Sequence, residues 1–413
     1  MNRTLSTLIG GMLGVTACGG GSNNERGHLA ATKFGDLTHP VERGSPIDAI
    51  RAQCGSGALT EAGDVVHRRP YLQEVTTTSA TIGWVTVDPA GERAILTTPD
   101  GSPLGEVLAV VEEYPQRLAN EKQVWARITG LQPDTVYCYA LGNGVAPLSE
   151  PTGFRTAPSA TSTLPVRFIA FGDSGNGSLE QHELQEQMFT VPYDLMVHLG
   201  DLAYRSGTIG QFEDYVFAVY AELFRNLPFF PASGNHEYET AQGGVFRDVF
   251  ALPPGEGNER WYSYDWGRVH FAVLDTEQDY ATQAAWLDRD LELSTAPWSI
   301  VYFHRPPYSS GSQHGSDLPL REVLAPVLEK HRVQLVLAGH DHHYERTVPV
   351  NGTVYVVSGG GGRGTRPVGQ SDFTAFSEQV IHFVQVEVGV EELVLHAIDG
   401  TGVEFDSLVV PRT

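Results

Sequence analysis

The sequence predicts two domains, an all-β sandwich followed by a layered α/β domain. Three observations carry this reading. The chain has 413 residues, more than a single core usually organises. Residues 67–157 alternate apolar and polar side chains at the period of a strand, between turn signals. Beyond a Ser-, Thr-, Ala- and Pro-rich linker at 158–165, buried-type strand runs alternate with helical patterns across 166–413.

The elements follow in order. Met1-Asn2-Arg3 opens with a positive charge, and residues 5–17 are apolar or small and too short to span a bilayer, so 1–17 reads as an export signal. It ends in Val15-Thr16-Ala17-Cys18, which resembles the lipobox of bacterial lipoproteins. That resemblance implies membrane attachment through a lipidated Cys18 at the cell envelope; an ordinary signal would place the chain in the periplasm or outside the cell. Residues 18–66 are rich in Gly, Ser, Asn and charge and read as a tether with little structure. Strands are expected at 80–87, 123–128 and 135–140, the last after the turn Leu131-Gln132-Pro133-Asp134. In the second domain, strands at 166–171, 195–199, 269–274, 299–303 and 333–338 alternate with helices at 179–189, 211–224, 281–293 and 320–330. The tail (354–357, 380–390, 393–397) is strand-like, so a mixed sheet or two-sheet sandwich flanked by helices fits best.

The formal charge is −23, from 50 acidic against 27 basic residues. A basic nucleic-acid footprint is absent, and the excess reads as a solvated acidic surface. An anionic substrate would have to be drawn in locally, as bound cations can do. Besides Cys18 the chain holds Cys54 and Cys138. They can pair as a disulfide in an oxidising compartment or stand as buried thiols, and the sequence leaves both open.

Chemistry concentrates in five separated motifs, each just after a strand-like run: Gly172-Asp173-Ser174-Gly175, Gly200-Asp201-Leu202-Ala203-Tyr204, Gly234-Asn235-His236-Glu237, Val301-Tyr302-Phe303-His304 and Gly339-His340-Asp341-His342. Ligands gather beyond the carboxyl ends of strands in open α/β sheets, so the five loops are expected to converge. Their Asp, Tyr, Asn and His side chains offer the oxygen and nitrogen donors that hard or borderline cations take. One carboxylate can bridge two ions, and ions about 3.5–4 Å apart can pull on one phosphate together. Serine-hydrolase elbows, phosphate loops of the Gly-Lys-Ser/Thr kind and His-Glu-x-x-His are not found.

In this order the motifs resemble the calcineurin-like metallophosphoesterases. Tyr204 in the second, and the continuation Gly339-His340-Asp341-His342-His343-Tyr344-Glu345-Arg346 of the last, narrow the resemblance to the purple acid phosphatases. Pro70-Tyr71-Leu72-Gln73 with Trp84 resembles the N-terminal domain of the plant-type members, and the stretch at 131–137 resembles fibronectin type III domains. The resemblance implies a fibronectin III-like sandwich before a four-layer catalytic domain, and an acid phosphatase that hydrolyses small phosphate monoesters with a metal-bound hydroxide. Carried over by motif, Asp173, Asp201, Tyr204 and His342 would hold Fe(III), and Asp201, Asn235, His304 and His340 would hold Fe(II), Zn or Mn, with Asp201 shared. His236 and His314 are the catalytic candidates, for binding phosphate and protonating the leaving oxygen. Ser174 and Tyr344 are weaker candidates for the lining, Glu237 and Arg346 read as supporting partners, and His198 and His343 as core or surface histidines. A phosphodiesterase or nucleotidase of the same superfamily, and a non-catalytic surface protein, are the alternatives.

Overall fold

The computed structural model describes residues 39–118 and 120–412. The export signal, Cys18 and the first part of the expected tether lie outside the described residues. The later part of that tether is folded, which corrects the expectation. Asp48–Cys54 is a helix, the preceding Ile47 is 1% exposed, and Cys54 is disulfide-bonded to Cys138 with 5.2 Å between the Cα atoms. One covalent link and two buried side chains, Ile47 and Ile50, order a segment whose composition is that of a linker.

The first domain contains β1 (Val66–Gln73), β2 (Ser79–Thr86), β3 (Arg93–Thr97), β4 (Pro103–Leu108), β5 (Val110–Glu112), β6 (Lys122–Thr129), β7 (Val136–Gly142) and β8 (Thr152–Arg155). They form two antiparallel sheets, ordered β1-β2-β6-β5 and β4-β3-β7-β8, around a core that includes Trp84, Tyr139 and Phe154. This sandwich is fastened to the second domain by polar contacts. Tyr71 Oη donates to the Val249 carbonyl at 2.6 Å, Gln73 Nε2 to that of Phe229 at 3.0 Å and Tyr139 Oη to that of Arg225 at 2.8 Å.

The second domain contains β9 (Val166–Phe171), β10 (Leu195–Leu199), β11 (Phe229–Ala232), β12 (Tyr262–Trp266), β13 (Val269–Val273), β14 (Trp298–Phe303), β15 (Leu335–Ala338), β16 (Tyr344–Thr347), β17 (Val354–Ser358), β18 (Thr374–Glu378), β19 (His382–Val388), β20 (Glu392–Asp399) and β21 (Glu404–Pro411). One mixed sheet runs β11-β10-β9-β19-β20-β21 and the other β12-β13-β14-β15-β17-β16-β18. Strand periodicity explains the layering. In β14, Ile300 and Tyr302 join the core shared with the first sheet, whereas Val301 and Phe303 join a separate core with Leu287 and Leu324 of the helices Tyr280–Leu293 and Leu318–Lys330. On the far side, Leu184 and Met188 of the helix Leu179–Met188 complete a helix–sheet–sheet–helix stack.

The helix expected over 211–224 is broken. It comprises Ile209–Phe212, a π turn at Glu213–Phe217 and Ala221–Phe224. The wider turn carries Glu213, which binds Nε of the fully buried Arg68 of β1 at 3.0 Å.

Outside the motifs, His270 ties β13 to the sheet edge and to a helix. Its Nδ1 lies 2.8 Å from Asp265 and its Nε2 2.9 Å from Asp290. Burial disfavours its charge, but the hydrogen bonds to Asp265 and Asp290 outweigh burial and raise it to about 9. A histidine raised on folding stabilises fully below its unfolded value of about 6.5 and loses that contribution as pH rises through about 9. His270→Gln should therefore cost about 2 kcal/mol at pH 6, partly screened because Asp265 is exposed, and much less at pH 10. Thermal unfolding at the two pH values checks this.

Candidate metal centre

The five motif loops leave the carboxyl ends of β9, β10 and β11 in one sheet and of β14 and β15 in the other. They converge where the two sheets face each other. Asp173, Asp201 and His340 all adopt left-handed backbone, with φ of 60°, 55° and 69°. Non-glycine residues rarely do so, and such strain gathers at functional sites. Gly200 (φ 87°) lets the chain turn into the second motif; a Cβ there would stand 2.6 Å from Nδ1 of His304.

The side chains form two donor sets that share one oxygen. In the first, Tyr204 Oη lies 3.0 Å from Asp173 Oδ1, 3.0 Å from Asp201 Oδ2 and 3.3 Å from His342 Nε2. In the second, His304 Nε2 lies 3.3 Å from the same Asp201 Oδ2, 3.2 Å from Asn235 Oδ1 and 3.1 Å from His340 Nδ1. All seven proposed ligands are thus brought together. Asn235 is half-buried and the other six are buried.

Burying two carboxylates beside each other demands positive charge nearby. In the protein without ions His304 supplies it. Burial opposes its charge, but Asp201 first, then Asp173, raise it to about 10, and Asp201 is held well below the usual carboxylate range by His304 and His236 despite its burial. Burial and the flanking Asp173 and Asp201 push the Tyr204 phenol up. The donor set therefore fits cations, whose binding would expel protons from these groups. The carbonyl of Leu199 accepts from His304 Nδ1 at 2.8 Å, which fixes the ring and leaves Nε2 for an ion.

Both catalytic candidates reach the centre. The His236 ring lies 4.4 Å from that of Tyr204, its Nδ1 is held by the Arg205 carbonyl, and its Nε2 is 3.7 Å from Asp201. His314 is exposed on the loop after β14 and packs its ring 4.2 Å from that of His340. The lining candidates do not reach it. Ser174 pairs with the buried His198, Oγ to Nε2 at 2.9 Å, and Tyr344 Oη donates to Asp406 at 2.7 Å. Ser174 lies in the first motif loop itself but turns its hydroxyl to His198, and Tyr344 in β16 packs its ring against Phe376 and Phe405. Arg346 also binds Asp406, at 2.7 and 2.9 Å.

Two supporting residues carry more than the motifs suggested. Glu237 Oε1 accepts from the amides of Leu202 and Ala203 at 2.9 and 3.1 Å, and Oε2 from those of Asp201 and Gly234 at 2.9 and 2.8 Å. One buried carboxylate thus clasps the second and third motifs, although burial and the Asp201 charge push it up to about 8. Asp341 Oδ2 accepts from Ser309 Oγ at 2.5 Å and from the Gly315 amide at 3.0 Å, so it anchors the loop that presents His314. Its place between His340 and His342 was visible in the sequence, but its partners were not.

Two consecutive family models match the chain. Residues 166–344 match calcineurin-like phosphoesterase, the class that the fold and the donor set define. Residues 66–156 match the purple acid phosphatase N-terminal domain, so the chain is similar to the purple acid phosphatases within that class. Purple acid phosphatase 23 of Arabidopsis thaliana is 31% identical over 281 residues, 57% of this chain and 61% of that protein. Probable inactive purple acid phosphatase 1 of the same plant is 29% identical over 294 residues, 57% of this chain and 48% of that protein. The chain thus spans about half to three-fifths of the length of these curated relatives. A purple acid phosphatase from yellow lupin (Lupinus luteus) seeds shares the fold, with a TM-score of 0.75 at 22% identity over 83% of this chain and 74% of that one.

The symmetry of the Glu237 clasp makes a sharp expectation. Each oxygen meets two amide donors, so a glutamine in either flip turns its NH2 toward N–H groups. Glu237→Gln should destabilise the protein by about 2–3 kcal/mol, as much as Glu237→Ala, and lower its metal content. Denaturant unfolding and metal analysis check this; a fully stable Gln variant would contradict the clasp.

Proposed function

We propose that this protein is an acid phosphatase acting on phosphate monoesters at a dinuclear centre. The observation that carries the reading is the shared Asp201 Oδ2, 3.0 Å from Tyr204 Oη and 3.3 Å from His304 Nε2, at the junction of two donor sets. Asp173, Tyr204 and His342 would complete the site for Fe(III), and Asn235, His304 and His340 that for Fe(II), Zn or Mn. When bound, such ions would polarise phosphoryl oxygens and acidify the attacking water. His236, half-buried against Tyr204, is placed to donate to a phosphoryl oxygen. His314, on an exposed loop fixed by Asp341, is placed to bind the phosphate and to hand a proton to the departing oxygen. Clefts elsewhere, such as one of about 710 Å³ lined by Glu74, Arg127 and Tyr264, hold none of these groups. The Cys54–Cys138 bridge supports the exported reading, since disulfides persist in oxidising compartments.

Metal analysis of the purified protein should give about two equivalents, and Asp201→Asn should lower both the metal content and kcat, the latter by roughly 10²-fold or more. Loss of one ion only, with full activity, would sink the shared-ligand reading. Hydrolysis of a monoester and a diester across pH separates the monoesterase from the diesterase alternative. Tyr204→Phe should abolish a visible charge-transfer band if that residue binds Fe(III), while leaving the second set of donors able to load.

A further inference from the structure

The loop that presents His314 is held by more than Asp341. It leaves β14 after Phe303 and ends where the helix Leu318–Lys330 begins. Its centre reads Ser309-Ser310-Gly311-Ser312-Gln313-His314-Gly315-Ser316, a composition that by itself specifies little structure. Asp341 takes Ser309 Oγ and the Gly315 amide, as described above. The segment 367–369 takes the backbone: the Ser312 amide donates to the Pro367 carbonyl at 3.2 Å, and the Gly369 amide to that of Ser310 at 3.0 Å. A further anchor is Glu345 of β16. Its Oε2 accepts the Ser310 amide at 2.5 Å, and its Oε1 accepts Ser310 Oγ at 2.7 Å and Thr374 Oγ1 at 2.6 Å.

Glu345 is fully buried, on a strand that lies between β17 and β18. An interior position of this kind ordinarily takes an apolar side chain, and a carboxylate there needs donors around it. Among the described residues its one ion-pair partner is His343, with Nε2 at 3.5 Å, while the neighbouring Arg346 turns to Asp406 instead. Burial disfavours the Glu345 charge, but His343, Thr374 and Ser310 outweigh burial and hold the carboxyl below its ordinary range. It therefore stays an acceptor, and most of what it accepts comes from the His314 loop. The last motif thus supplies two kinds of group in one short stretch. His340 and His342 belong to the donor sets, and Asp341 and Glu345 grip the loop beside them. The place of His314 relative to the donors is built into a single segment of chain.

We propose that Glu345 is a positioning residue for proton transfer: by gripping Ser310 it keeps His314 at the leaving side of the substrate. The inference rests on the phosphatase reading above, with His314 as proton donor. In the step concerned, water's oxygen bonds to phosphorus and the P–O bond to the leaving group breaks. The electron pair stays on the departing oxygen, which takes up the proton that His314 gives. A loosened loop would still let His314 reach that oxygen, but in the productive geometry for a smaller share of the time. The loss should fall on strongly basic leaving oxygens, which need the proton, and spare weakly basic ones.

The test measures kcat on ethyl phosphate, whose leaving oxygen is strongly basic, and on 4-nitrophenyl phosphate, whose leaving oxygen is not. Glu345→Ala should lower kcat on the ethyl ester at least about fivefold more than on the nitrophenyl ester. Glu345→Gln can still accept the Ser310 N–H and donate to the two hydroxyls, so it should keep the wild-type ratio within about twofold. Added to His314→Ala, Glu345→Ala should shift the ratio by no more than about twofold further. An even loss on both esters in Glu345→Ala, or a skew that adds in full to that of His314→Ala, overturns the proposal. If Glu345→Ala does not fold, Ser310→Ala, at a half-buried position, removes the loop's hydroxyl from the same contact and should show a skew of at least about threefold; none there overturns it equally. Amide exchange needs no turnover. The Ser310 N–H should exchange at least about tenfold faster in Glu345→Ala while the amides of β15 keep their rates, and an unchanged Ser310 rejects the anchor. If wild type hydrolyses neither ester, or His314→Ala shows no skew, the reading above fails and the positioning role falls with it. A skew in His314→Ala without one in Glu345→Ala rejects the positioning role alone.

Discussion

The site depends on the position of one carboxylate. Asp201 sits in left-handed backbone at the end of β10 and gives a single oxygen to both donor sets. Its other oxygen is not idle, since Oδ1 accepts the His236 amide at 3.0 Å. The third motif is therefore docked directly on the bridge between the two sets. Gly234 has no side chain because none would fit there; a Cβ would run into the Asp201 carboxylate. Glu237 then closes the arrangement from behind by collecting the amides on either side. A negative group buried this thoroughly holds its place only while positive charge and amide dipoles surround it.

The donors could not come from one sheet. Asp173, Asp201 and Asn235 follow three neighbouring parallel strands of the first sheet, and their short loops place oxygens. The histidines 304, 340 and 342 follow β14 and β15 of the second sheet and place nitrogens. Oxygen-rich and nitrogen-rich halves thus meet across the sandwich. A cation bound between them would also cross-link the sheets, so metal loading and global stability are expected to be coupled.

Much of this was legible because local chemistry and layer order agree. Buried parallel strands such as β9, β10 and β14 are continuous apolar runs, and the motif glycines stand where backbone must turn sharply beside a ligand. What escaped was of two kinds. Edge and late strands such as β12, β18 and β21 have mixed burial patterns that resemble loops, because one face is solvated. The folded segment around Cys54 escaped because a disulfide and two buried isoleucines leave too short a periodic signal. In the site, the side chains that converge could be read from motif spacing, but Asp341's grip on the His314 loop could not. Ser309 and Gly315 lie about thirty residues before it, and only the fold brings them together.

The distance between the two halves is set away from the ions, by an aromatic layer. Tyr264 stacks on Phe230 with ring centres 3.9 Å apart and on Phe271 at 4.9 Å. Tyr302 Oη donates to the Phe230 carbonyl at 3.0 Å and meets Tyr264 Oη at 3.2 Å. Tyr302 is two residues before His304, and Phe230 is five before Asn235. The bond between them joins β14 to β11, and so a nitrogen donor to an oxygen donor of the same set, through rigid strand backbone. Cores of this density are not continuously deformable. Burial pushes the Tyr302 phenol far above its ordinary value, so the bond is not lost by ionisation at any physiological pH. The centre's spacing is thus a property of the packed sheets, into which ions of suitable size are admitted, rather than something the ions must impose on mobile loops.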